Sequence, residues 1–199
     1  MLKTPSSVLV KISKYLSDFF NPMNSLIIYF ILYSVQNFSM KETLSHFLPI
    51  LLIMVIPVSF WIFYHVKTKK YTDRDVSDRK QRTGLYFFLA GSIIAYLTFV
   101  YWQFSRVDFV LLFLLILLIV MQVSNYFIKS SMHTAINIFV AALMFTLNPF
   151  YGFVWLAIST AVAYSRIILK RHSRAEVLSG AVIASIVSFI YLYTQIQLQ

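Results

Sequence analysis

Two histidines, one followed four residues later by a carboxylate, stand among arginines in an otherwise apolar chain. In SRIILKRHSRAEVLSG (165–180), Arg166, Lys170, Arg171 and Arg174 surround His172, and Glu176 lies at i+4 from it. Positions i and i+4 share a helix face, so a helix starting here sets the carboxylate beside the imidazole. Such a pairing fixes the ring tautomer and stabilises its charged form, as a base and its orienting acid do. Arginine forks bind phosphate bidentately. A histidine, whose ordinary pKa lies near neutrality, can attack phosphorus or protonate a departing oxygen. The second histidine, His133, closes KSSMH (129–133), which also holds Lys129 and Ser131 and opens an apolar stretch. Backbone amides at a helix start favour an anion. A third polar segment, KTKKYTDRDVSDRKQR (67–82), carries Arg74, Arg79, Lys80 and Arg82 with Asp73, Asp75 and Asp78.

The elements that must position these residues are membrane spans. Of 199 residues, 59% are hydrophobic and 12% charged, against about 25% charged in a soluble domain. Apolar runs at 46–66, 84–103, 107–127, 131–148, 150–169 and 175–195 have the length of spanning helices. A stretch at 24–39 covers roughly 24 Å against a hydrocarbon core of about 30 Å, a marginal span. The expectation is an all-α polytopic transmembrane bundle, with six clear spans plus one marginal N-terminal span, forming a single domain over 1–199. Within the first 23 residues, positions 5–20 alternate apolar and basic side chains at helical spacing. That suits a helix lying on the membrane surface or, equally, a juxtamembrane extension. Lys11 and Lys14 interrupt its apolar stretch, so it is not read as a cleavable signal.

Short turns, SRVD (105–108) and NPFYG (148–152), join some spans. Two spans separate 67–82 from 129–133, and two more separate 129–133 from 170–176. An even count returns the chain to the same face, so the three polar segments are expected on one side of the bilayer. In the last span, Gly180, Ala184 and Ser188 recur at four-residue spacing, which lets membrane helices pack closely.

Simpler roles exist for each of these residues. Basic residues at span ends set topology and meet lipid headgroups, a histidine at a helix end serves as a boundary hydrogen bonder, and Trp102 and Tyr126 suit interfacial anchors. The chain has no cysteine, which excludes disulfides, thiolate nucleophiles, iron–sulfur clusters and cysteine-ligated zinc. With four glycines it has no glycine-rich phosphate loop. His172 and Glu176 are spaced as two metal ligands, but further ligands are not evident; no metal and no cofactor are expected.

The third segment resembles the third motif, SR-x5-H-x3-D, of the type 2 phosphatidic acid phosphatase (PAP2) superfamily, through Ser165, Arg166, His172 and Glu176, followed by VLSG. SSMH (130–133) is similar to that family's second motif, PSGH, and SDRKQR (77–82) stands in the place of its first, K-x6-RP. The resemblance covers 67–180 and implies a metal-independent lipid-phosphate phosphatase acting on a phosphomonoester or diphosphate of the phosphatidate, phosphatidylglycerophosphate or polyprenyl type. It implies His172 as nucleophile, Glu176 as its orienting acid and His133 as the group protonating the leaving oxygen. Arg166, Arg79, Arg82, Ser131 and Lys129 would bind the phosphate. Glu176 replaces Asp, Met132 replaces Gly, Ser130 replaces Pro, the first motif lacks its proline, and the apolar hairpin 84–127 separates the first two motifs. These departures keep a non-catalytic lipid-binding relative in view.

DRDVSDRKQRTG (73–84) also looks like the first aspartate-rich motif of UbiA-type prenyltransferases. The second such motif is missing, and magnesium dependence would separate the two enzymes. The expected partners are the lipid phosphate and surrounding membrane lipids, with no nucleic acid; a prokaryotic cell membrane is the expected location. If 24–39 spans, all but Lys41 and Arg106 of the 17 basic residues fall on the face of the motifs, which points to the cytoplasm. Members of the resembled family that act on lipid phosphates commonly face outward.

Overall fold

The computed structural model describes residues 6–73, 75–76 and 78–198. Among these the chain is all-helical, without a strand. It divides into two compact units, Met1–Tyr33 with Ile128–Gln199, and Ser34–Phe127; the boundary falls within helix α2.

The first unit contains α1 (Ser7–Phe19), the beginning of α2 (Pro22–Asn37), α7 (Met132–Leu147), α8 (Pro149–Ile168) and α9 (Arg174–Leu198). Helix α7 is its centre: Ala135, Phe139, Val140, Leu143 and Met144 are fully buried, as expected of a helix apolar on every side. Helices α8 and α9 pack on α7, and α1 packs on α8. Asn148 ends α7 and caps α8, accepting the Phe150 amide at 2.8 Å, and Pro149 takes the first position of α8. Proline suits that place because its missing N–H would be unpaired there anyway. On α9, Gly180, Ala184 and Ser188 are buried. Lipid tails are as apolar as leucine, so close packing and hydrogen bonds hold membrane helices together.

The second unit contains the end of α2, α3 (Met40–Ile50), a π-helical turn (Leu51–Val55), α4 (Ile56–Lys67), α5 (Arg79–Phe104) and α6 (Phe109–Asn125). Helix α3, the π turn and α4 run on as one 28-residue helix, Met40–Lys67. Its π turn lies between Pro49 and Pro57, where ring clashes break the regular ladder. Between α4 and α5 the chain folds on itself, burying Tyr71 and Val76 against Leu85.

Among the described residues four helices are long and apolar enough to cross a membrane: Met40–Lys67, Arg79–Phe104, Pro149–Ile168 and Arg174–Gln197. The expected six spans plus a marginal one are thus met for four. Helices α6 and α7 have 17 and 16 residues, and at 1.5 Å per residue reach only about 24–26 Å. Polar caps set these lengths: Asp108 caps α6 inside the apolar run 107–127, and Ser131 and Asn148 bracket α7.

Candidate functional site

The spacing from Arg166 to Glu176 is that of one helix ending and the next beginning. Helix α8 stops in a Schellman turn: the Arg171 amide donates to the Arg166 carbonyl at 3.0 Å and the Lys170 amide to that of Ile167 at 3.0 Å. Lys170 adopts the left-handed conformation (φ 55°) that glycine usually fills in this motif. The His172 amide also points at the Arg166 carbonyl, at 3.3 Å. Ser173 then opens α9 with a reciprocal capping box: its hydroxyl accepts the Glu176 amide at 3.2 Å, and the Glu176 carboxylate accepts the Ser173 amide at 3.1 Å. Two orphan amides are satisfied at once.

The same carboxylate oxygen, Oε2, lies 2.9 Å from Nδ1 of His172. A carboxylate only accepts, so Nδ1 carries a proton in this pair, and in the neutral imidazole the lone pair is then on Nε2. The His172 side chain is 1% exposed and that of Glu176 21%. Arg166 is 2% exposed, and its Nη1 donates to the Ser17 hydroxyl at 2.9 Å.

The second motif docks against this turn. The Ser131 amide donates to the Glu176 carbonyl at 3.0 Å, and the Ser130 and Ser179 hydroxyls meet at 2.6 Å. Lys129 Nζ donates to the Arg171 carbonyl at 3.3 Å. Gly180 permits this approach, since a Cβ there would come within 2.7 Å of the Ser131 carbonyl oxygen. The first turns of α7 and α9 therefore meet, and each presents the positive end of its helix dipole. His133 lies in the first turn of α7, 6% exposed.

The expectation that the Ser131 amide is offered to an anion is corrected: it is taken by Glu176. The Ser131 hydroxyl caps α7, accepting from the Thr134 amide at 3.4 Å and the Thr134 hydroxyl at 3.0 Å. Lys170, Arg171 and Arg174 are exposed.

Arg79 and Arg82 belong to the second unit and are engaged there. Arg79 Nε donates to the Asn125 carbonyl, and the Asn125 side chain returns a bond to the Arg79 carbonyl at 3.1 Å. Arg82, 3% exposed, donates from Nε to the Val76 carbonyl at 3.0 Å. Asp78 caps α5 through the Lys80 and Gln81 amides at 2.9 and 3.0 Å. Arg74 and Ser77 lie outside the described residues. Among the described residues no three histidine or acidic side chains gather as a metal-ligand set.

Sequence reasoning missed Asn137 and Ser17. Asn137 is fully buried; its Nδ2 donates to the carbonyls of Phe20 (2.9 Å) and His133 (2.8 Å), and its Oδ1 accepts from Ser25 (2.9 Å). An asparagine inside an apolar run is a signal in itself, since polar groups at membrane depth need partners. Ser13 and Ser17, buried four residues apart on α1, carry the small-residue spacing of close helix contact. No family model matches the chain, and neither does any curated protein or solved structure.

Proposed function

We propose that this protein is an integral membrane phosphatase that hydrolyses a phosphomonoester or diphosphate of a lipid through a phosphohistidine, without a metal. The observation that carries the reading is the 2.9 Å bond between His172 Nδ1 and Glu176 Oε2, which leaves Nε2 as the nucleophile. His172 Nε2 attacks phosphorus, the bond from phosphorus to the lipid oxygen breaks, and His133 gives that oxygen a proton. Water, losing a proton to His133, then attacks the phosphohistidine, the P–N bond breaks, and inorganic phosphate leaves. Arg166, the helix starts of α7 and α9, and Lys129 stabilise the charge on the transferring group. On this reading α6 and α7 also cross the bilayer as short helices, and the excess of basic residues supports a site at the cytoplasmic face. The motif resemblance to the type 2 phosphatidic acid phosphatases supports the same chemistry.

A second reading is favoured by the burial of His172, whose side chain is 1% exposed: the histidine only completes the start of α9, in a non-catalytic lipid-binding protein. The two separate in one experiment. Phosphate release from phosphatidate, phosphatidylglycerophosphate and polyprenyl diphosphate is measured for the purified protein in EDTA, beside His172→Ala. Release by the wild type that disappears in the variant supports the phosphatase. Release that persists in the variant, or its absence from every lipid, overturns it.

A further inference from the structure

The N-terminal helix α1 is joined to the first unit by polar contacts as well as by its packing on α8 and of Phe20 on Trp155. Helix α1 turns its large apolar side chains outward, with Val8, Ile12, Tyr15 and Phe19 all at least 58% exposed, and buries Ser13 and Ser17. Two polar attachments orient it. At its end, Asn137 takes the Phe20 carbonyl and the Ser25 hydroxyl, from a position one helical turn beyond His133. Before that, the Ser17 hydroxyl accepts Nη1 of Arg166 at 2.9 Å.

A guanidinium on a flexible stem clamps phosphate well only when its orientation is set beforehand. Ser17 supplies that constraint: it is 1% exposed, its helix is held at the following turn, and it engages one end of the guanidinium fork. We infer that Ser17 is a positioning residue of the phosphate site, holding Arg166 in the orientation that receives the phosphoryl oxygens. The N-terminal helix is then a working part of the site. This rests on the phosphatase reading above, in which Arg166 binds the phosphate.

The test compares KM and kcat for lipid phosphate in wild type, Ser17→Ala and Ser13→Ala, with thermal unfolding in detergent as a check on folding. Loss of a hydrogen bond to a charged group predicts a KM roughly ten-fold higher for Ser17→Ala, with kcat within about two-fold. Ser13→Ala, in the same buried stripe, should leave both unchanged. Ser17→Cys keeps the shape with a weaker acceptor and should also raise KM. Protection against heat by inorganic phosphate, measured with and without Arg166→Ala, completes a double-mutant cycle. Ser17→Ala should reduce that protection in the wild-type background and do nothing further once Arg166 is gone. An unchanged KM in Ser17→Ala, or a loss of protection that persists undiminished without Arg166, overturns the inference and leaves the phosphatase reading standing. A wild-type protein that releases phosphate from no lipid overturns both.

Discussion

Gly180→Ala tests whether the close approach of α7 and α9 is what builds the site. A Cβ at position 180 would lie 2.7 Å from the Ser131 carbonyl oxygen and 3.1 Å from its nitrogen. Both are backbone atoms, so no rotamer change relieves the clash. Ordinary contact begins at 3.4 Å, so the helix starts must part by about 0.7 Å to restore normal packing. The Ser131–Glu176 bond, now 3.0 Å, would stretch to about 3.7 Å, beyond hydrogen-bond range. Overpacking and the lost bond together cost about 2–4 kcal/mol, a fall in thermal midpoint of roughly 5–15 °C. Misplacing a catalytic group by this much costs about 10²-fold in rate. Phosphate release and thermal unfolding would be measured side by side, with Gly91→Ala as control, because a Cβ at 91 meets nothing within 4 Å. That control should keep full activity and, inside a helix, gain up to about 1 kcal/mol. A Gly180→Ala protein with wild-type midpoint and rate would refute the reasoning; a lowered midpoint with full activity would detach the junction from the chemistry.

Two further substitutions probe the charges. Glu176→Gln keeps a residue accepted at this place in a capping box, so stability should hold within about 1 kcal/mol, while phosphate release should fall roughly 10²–10⁴-fold for want of the charge beside His172; near-normal turnover would remove Glu176 from the mechanism. Asp108, in the connection before α6, has its carboxyl pushed up by burial, against the Leu111 and Val110 amides and His46, which hold it down. A raised pKa means that the folded chain holds the proton more tightly, so this stability is present below the ordinary carboxylate range and is lost as pH rises through the raised value. Asp108→Asn keeps the cap and should flatten the fall in thermal midpoint from about pH 4 to neutrality; an unchanged slope would count against it.

Helix positions were legible because every backbone group inside a bilayer must pair within its own segment, so apolar runs become helices. Their ends were less so. Hydropathy merges Val107 with the run that Asp108 caps from within, and α6 emerges four residues shorter than its apolar stretch of 21. The pairing of His172 with Glu176 could be read directly, since four residues on one helix start leave little geometric freedom. The Arg166–Ser17 and Asn137–Ser25 bonds join residues 149 and 112 positions apart. Nothing in one sequence says which buried serine an arginine will find. The parity count grouped three basic segments, and two of them, 129–133 and 170–176, meet within the first unit, whereas Arg79 and Arg82 are engaged in the second through Asn125 and Val76.

Glu176, which stands where the motif that this segment resembles has aspartate, has a physical reason to be a glutamate. It occupies the third position of α9, where a capping box calls for a side chain long enough to turn back to the amide of the capping serine. Glu176 does so, and Oε2 reaches both the Ser173 amide and His172 Nδ1. The extra methylene that looks like a fault when the motif is read alone is what lets one oxygen serve the helix start and the histidine together. An aspartate at 176, one carbon shorter, would have to choose between them. In this chain the imidazole's orientation and the integrity of α9 therefore depend on the same atom. Arg166 hangs on the turn between them through its own carbonyl, which accepts the amides of Arg171 and His172. The backbone turn that carries Arg166, His172 and Glu176 is thus set by the local folding of eleven residues, 166–176. The docking of α7, made possible by Gly180, brings the first turn of α7, which carries His133, against that of α9.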